Sequence, residues 1–223
     1  MKYHFLTYAT ESHKFHALQL SKSAKMHGEF DSINIYDPEN IDSDFKQKNS
    51  YIFNNTIGAG YWLWKPYVIL QKLKELNEGD ILCYCDSMYL FKDSIKNINI
   101  NESDIYLTHN KPNEPTYKEI WFSKRDALIL MNCDTSEYYD TLQVWGGFIV
   151  IRKSSKSVQF IEEWLIYAQD KRIITNDKST LGNEYLEFRE NRHDQTALSL
   201  LAKKWKLHFN DFPQKLLFNL RVP

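Results

Sequence analysis

Cysteine is scarce in this chain: three residues among 223, Cys83, Cys85 and Cys133. A small, odd number excludes a disulfide framework and points to free thiols in a reducing compartment. Cys83 and Cys85 stand two apart in a strand-like run and so share a face, and a zinc site would need further ligands at metal spacing that are not there. Glycine is scarce too, at seven residues, and no three-glycine loop of the dinucleotide-binding kind follows the first strand-like run. No run reaches roughly eighteen apolar residues, which excludes a membrane-spanning helix. A positive excess is also missing. The formal net charge is -1, and the lysines are spread among acids, so no nucleic-acid partner is expected. The first strand-like run begins at Lys2 and leaves no room for a secretory leader, so the expected location is cytoplasmic.

What is present suits a packed core. Apolar residues make up 43% and charged residues 26% of the chain, and the length suits one domain spanning residues 1–223. Strand signals fall at Lys2 to Tyr8, Ser32 to Tyr36, Asp80 to Asp86, Asp104 to Thr108, Trp145 to Arg152 and Lys206 to Phe209. Helical spacing falls between them. One helix is expected from Thr10 or Ser12 to Met26, another from Tyr61 to Leu76, and another from Ser123 to Met131 with Ser123 and Asp126 as a capping box. Ser154 to Gln169 and Asp194 to Lys204 complete the pattern. Strands alternating with helices predict an α/β fold with a mostly parallel central sheet.

In such a sheet, ligands bind at the carboxyl ends of the strands. Asp86 closes the run DILCYCD, so its carboxylate is expected at that edge, where it can face a cation or a diphosphate; the alternative is a turn aspartate before Ser87. Strand ends that converge on one edge bring Thr7, Tyr8, Lys65, Asp86 and Ser87 to one expected cleft. In GAGYWLWKP, Trp62, Trp64 and Lys65 set flat aromatic faces beside a cation, suited to a sugar, a base and a phosphate, or equally to a helix start with core tryptophans. Gly146 and Gly147 open the next strand and leave room either for a sugar ring or for a bulge. Arg192, His193, Asp194 and Gln195 crowd one turn at a helix start; an aspartate there can be a plain cap, which leaves its polar neighbours unexplained.

Taken together, the runs GAGYWLWKPYVIL, GDILCYCDS, WFSKRDALILMNCD, VWGGFIVIRK, EEWLIYAQDKRIIT and RHDQTALSLLAKK resemble those of a bacterial and viral family of GT-A glycosyltransferases, in the same order from Gly58 to Lys204. The layout is also similar to Och1-type and family 8 transferases. The resemblance implies a Rossmann-like GT-A domain that moves a sugar from a UDP- or GDP-sugar donor to a glycan acceptor, such as a surface polysaccharide or lipopolysaccharide. It implies that Thr7, Tyr8 and Ala9 meet the nucleotide base. Asp86 would be the first aspartate of a DxD-like motif holding Mn²⁺ or Mg²⁺, and Asp194 and Gln195 would lie near the anomeric carbon. Met88 stands where that motif has its second aspartate, and a thioether does not suit either metal. Either the metal is dispensed with, or a second ligand comes from His208, Asn210 or Asp211.

Sugar transfer requires stabilisation of charge on the departing diphosphate, for which Lys65, Arg125 and a metal on Asp86 are candidates. It also requires a group at the anomeric carbon, for which Asp194, Gln195 and His193 are candidates. A second class remains open: a protein of the same fold that binds nucleotide sugars or glycans without turnover. A methyltransferase of the Rossmann type is disfavoured by the missing glycine-rich loop.

Overall fold

The computed structural model describes residues 1–100, 104–109 and 117–220. Its central sheet has the order β2-β1-β3-β6-β5-β7. These strands are β1 (Tyr3–Tyr8), β2 (Ser32–Tyr36), β3 (Ile81–Cys85), β5 (Ile105–His109), β6 (Val144–Arg152) and β7 (Phe209–Asn210). β1 runs parallel to β2 and to β3, and β5 runs parallel to β7. Strand β6 lies antiparallel to both β3 and β5, so it alone is reversed within this sheet. A two-stranded ribbon pairs β4 (Tyr89–Phe91) with β8 (Leu217–Asn219).

The alternation of β3 decides how the layers stack. Cys83 and Cys85 point to one face, where they meet Phe5, the ribbon, and Leu20 and Ala24 of helix α1 (Lys14–His27). Leu82 and Tyr84 point to the other face. There the sheet carries α3 (Trp64–Glu75), α5 (Ser155–Ala168) and α6 (Asp194–Lys204); α2 (Ser43–Lys48) precedes α3 in sequence, and α4 (Arg125–Leu130) lies between α3 and α5. All three cysteines are buried and free, and burial pushes their thiols up, so they act as small apolar side chains. No helix among the described residues is long and apolar enough to cross a membrane.

Two helix starts differ from the sequence expectation. The helix expected from Tyr61 begins at Trp64, because residues 58–62 form a turn of the opposite hand, described below. The capping box expected of Ser123 and Asp126 does not form. Instead α4 starts at Arg125, and the Ser123 hydroxyl donates to Glu119. The fully buried Asp126 carboxylate accepts from the backbone N–H groups of Thr180 and Leu181 and from the Thr180 hydroxyl, at 2.8–3.2 Å. A passing loop thus offers this carboxylate more donors than its own helix start does. Asp126→Ala should therefore release residues 179–181 and lower stability by about 1–3 kcal/mol, read from urea unfolding.

Candidate functional site

A cleft of about 340 Å³ opens at the carboxyl edge of β1 and β3. Tyr8, Ala9, Trp62, Asp86 and Ser87, all expected there, line it, together with Trp64 and Met88. Thr10, Ser12, His13 and Thr56 complete its polar wall; Thr10 and Ser12 were expected only as a helix start, and nothing in the sequence singles out His13 or Thr56. Tyr8 stacks on Trp64 with ring centroids 3.8 Å apart, which gives the cleft a flat aromatic side.

Thr7 and Lys65 do not line the cleft but sit beneath it. The Thr7 hydroxyl donates to the Cys85 carbonyl at 2.8 Å and pins the end of β1 to the end of β3. Lys65 is 4% exposed, and its ammonium lies 3.3 Å from Asp86 Oδ1, 3.1 Å from Asp194 Oδ2 and 3.2 Å from the Gly146 carbonyl. It also lies 5.5 Å from the centre of the Tyr84 ring, while the Tyr84 hydroxyl donates to Asp86 Oδ1 at 2.7 Å. Asp86 Oδ1 is therefore fully engaged, and its carboxylate, about a third exposed, turns toward the cleft.

Asp194 is the buried member of the trio. It is the first residue of α6, and its side chain accepts from the Gln195 backbone N–H and also turns to Lys65. The contact is an ion pair rather than an aligned hydrogen bond, since Oδ2 has no hydrogen-bonding partner in good geometry. Burial lowers the Lys65 affinity for protons, but Asp194 and Asp86 outweigh it, so the ammonium is held above its usual range. Burial raises Asp194, Asp86 adds to the rise, and Lys65 offsets part of it, leaving the carboxyl at about 6. The trio carries two negative charges against one positive charge. An aspartate kept ionised at a cost in stability marks a site whose charge has a use.

A chain of side chains orients Gln195. Its amide oxygen accepts from the Gly146 N–H at 3.0 Å, and its amide nitrogen donates to Gln143 at 2.7 Å. Gln143 donates to the fully buried Glu119 at 2.9 Å, and Glu119 is closed off by Ser199 and Lys203. Sequence reasoning passed over Glu119 and Gln143, because a lone polar residue in a helix or before a strand carries no pattern. Both glycines of β6 are buried. A Cβ on Gly146 would meet Asp194 and Gln195 at 3.5 Å, and the Trp145 indole covers Gly147. Neither leaves bare backbone for a sugar.

The wall that carries Trp62 is strained. Gly58, Ala59, Gly60, Tyr61 and Trp62 all have positive φ, between 51° and 95°. A left-handed turn costs roughly 1–2 kcal/mol per residue that bears a Cβ. The Trp62 ring folds back over Gly58, where a Cβ would stand 2.3 Å from it. His193, also at positive φ, stacks under Trp62 and Tyr61 with centroids 5.4 and 4.9 Å away and holds the Ile174 carbonyl through Nδ1 at 2.8 Å. His193 is thus a prop behind the cleft wall.

Two expected residues stand elsewhere. Arg125 pairs with Asp134 at 2.7 Å and stacks on Tyr185, away from the cleft. His208 is exposed at the start of β7, three strand positions from β3, or roughly 14 Å at ordinary strand spacing, so it and Asp86 do not share an ion. No group of three or more His, Cys, Asp or Glu suited to a metal occurs among the described residues. The residues at Asp86 do not fit a resident divalent cation: one carboxylate, a thioether at Met88, and an ammonium already against the same carboxylate. A second cavity of about 540 Å³ lies between Lys124 and the loop 175–191, and the Lys65 trio takes no part in it.

Comparison with solved structures gives the fold its relatives. Mouse xyloside xylosyltransferase 1 superposes with a TM-score of 0.51 over 95% of this chain and 85% of its own, at 11% identity. WbbM, a bifunctional glycosyltransferase, superposes with a TM-score of 0.52 over 90% of this chain and 37% of its own, at 10% identity. The fold is that of the GT-A glycosyltransferases. No protein-family model matches the sequence, and neither does any curated protein.

The charge balance of the trio makes two opposed predictions. Lys65→Met leaves two carboxylates together without their cation and should cost about 3–5 kcal/mol in urea unfolding. Asp194→Asn removes the excess charge and should stabilise. With the Asp194 carboxyl at about 6 in the fold and at its ordinary 3.8 in the unfolded chain, the folded state binds the extra proton between those values. Wild-type stability therefore falls as pH rises through that window. The Asn variant should match wild type near pH 4 and exceed it above pH 6; parallel curves across that range would refute the assignment.

Proposed function

We propose that this protein is a glycosyltransferase that takes a sugar from a UDP- or GDP-sugar and passes it to a glycan acceptor, with residues 1–223 acting as one GT-A domain. The observation that carries this reading is Asp86: a strand-end carboxylate, fixed from below by Lys65 and Tyr84, facing an aromatic cleft in a GT-A fold. Tyr8, Trp64 and Trp62 offer flat faces to a base and a sugar ring. The start of α1, with the Thr10 and Ser12 hydroxyls and His13, offers donors to a diphosphate.

In the transfer step the acceptor hydroxyl oxygen bonds to the anomeric carbon, and its proton passes to the departing diphosphate. The bond from that carbon to the diphosphate oxygen breaks, and its electron pair leaves with the nucleoside diphosphate. Donors fixed at the start of α1 stabilise that departing charge without reorganising. Asp86 accepts hydroxyls of the donor sugar and holds its ring in place. Asp194, buried behind Lys65, acts through it as a positioning residue, and Gln195 with its chain to Glu119 keeps the start of α6 in register with β6. The acceptor of a surface polysaccharide or lipopolysaccharide fits this reading, and so does a cytoplasmic site of action.

The second reading, a binding protein without turnover, is favoured by Met88 and by the ammonium set against Asp86 where a metal-dependent enzyme would place a cation. Thermal shift with UDP- and GDP-sugars tests both, since a ligand at about a hundred times its Kd adds roughly 2.7 kcal/mol. Release of nucleoside diphosphate then separates them. The proposal expects turnover in wild type and a loss of at least about a hundredfold in kcat/KM for Asp86→Ala, close to 2.7 kcal/mol. Binding without any release of diphosphate, across a panel of acceptors, would favour the second reading.

A further inference from the structure

We propose that helix α1 docks this protein on the surface of an anionic lipid bilayer. The helix buries one narrow stripe, Ala17, Leu20 and Ala24, against the sheet and ribbon. On its opposite side Phe15, Leu18 and Met26 are 67%, 55% and 64% exposed. With Lys22 they fall at spacings of three, four and four, so they form a single outward stripe along a helix of roughly 21 Å. Soluble surfaces bear scattered apolar residues, but three large ones aligned on one helix need an occupant.

Charge identifies that occupant. The segment 14–27 holds Lys14, Lys22 and Lys25 and no aspartate or glutamate, in a chain whose net charge is -1. Lys14 meets Glu11 in an exposed pair at 3.3 Å, while Lys22 and Lys25 make no ion pair among the described residues. At the far end of the helix Glu29 is taken by Lys96. Apolar side chains flanked by unpaired lysines match a bilayer interface, where the former enter the acyl boundary and the latter meet phosphate headgroups. A symmetric dimer through the same face would set these lysines against their own copies. Because Ser12 and His13, just before α1, form part of the cleft wall, docking would hold the cleft at the membrane surface. The surface stands whether or not the protein transfers sugars.

Vesicle flotation of the full chain tests this. Vesicles of phosphatidylcholine alone should leave the protein behind; vesicles with about 30 mol % phosphatidylglycerol should carry it at low ionic strength and release it at about 0.5 M salt. The triple variant Phe15→Ser, Leu18→Ser, Met26→Ser should lose flotation, and Lys22→Ala with Lys25→Ala should weaken it about thirtyfold. All five side chains are solvent-facing, so circular dichroism and melting should match wild type. No flotation on anionic vesicles, unaltered flotation of folded variants, or a dimer in size-exclusion chromatography that the triple variant abolishes would each overturn the proposal.

Discussion

The buried ammonium of Lys65 holds the end of β3, the start of β6 and the start of α6 together at one point. Its partners come from three separate stretches of chain: Asp86, the Gly146 carbonyl and Asp194. Taking an ammonium out of water costs several kcal/mol unless it is compensated, and two carboxylates and a carbonyl do so. The cleft floor inherits that arrangement. Asp86 points outward because Lys65 and Tyr84 occupy its inner oxygen. The Trp164 indole N–H, which donates to the Asp194 carbonyl at 2.9 Å, fixes the backbone of α6 independently of the carboxylate.

The same arrangement limits what the site can do. A cleft with one carboxylate and an ammonium behind it is already partly neutralised, so it does not invite a divalent ion as a pair of open aspartates would. In the proposed transfer, charge on a departing diphosphate would then fall to the Thr10 and Ser12 hydroxyls and the His13 imidazole, residues that line the cleft. The strained turn at 58–62 brings Trp62 over that same space, in keeping with the tendency of backbone strain to gather at functional sites.

The fold was largely legible because its signals are local. DILCYCD reads as a buried strand ending on a carboxylate, and β3 ends one residue before Asp86. Alternating strands and helices gave the layers, and Asp194 to Lys204 is the helix expected. What the sequence hid is tertiary. Lys65 reads as a cation suited to a phosphate, or equally as part of a helix start, and proves to be buried beneath the cleft. Asp126 sits where a capping box would place it, yet a loop more than fifty residues away claims its oxygens. Arg125 and His208 have suitable chemistry and the wrong position, and only the strand order shows how far β7 lies from β3. Nothing in GAGYW announces five successive residues of the opposite hand.

That left-handed turn also ties together parts of the chain far apart in sequence. Ala59, Tyr61 and Trp62 disfavour it on their own, and part of its support comes from His193, more than a hundred residues later, stacked beneath Trp62 and Tyr61. Sequence-near contacts hold part of it, since the Trp64 indole N–H donates to the Gly58 carbonyl at 2.9 Å, but the ring beneath the Trp62 wall comes from the start of α6. A nascent chain that has not yet emerged past His193 therefore has the local bonds of the turn but lacks the ring that stacks beneath Trp62 and Tyr61.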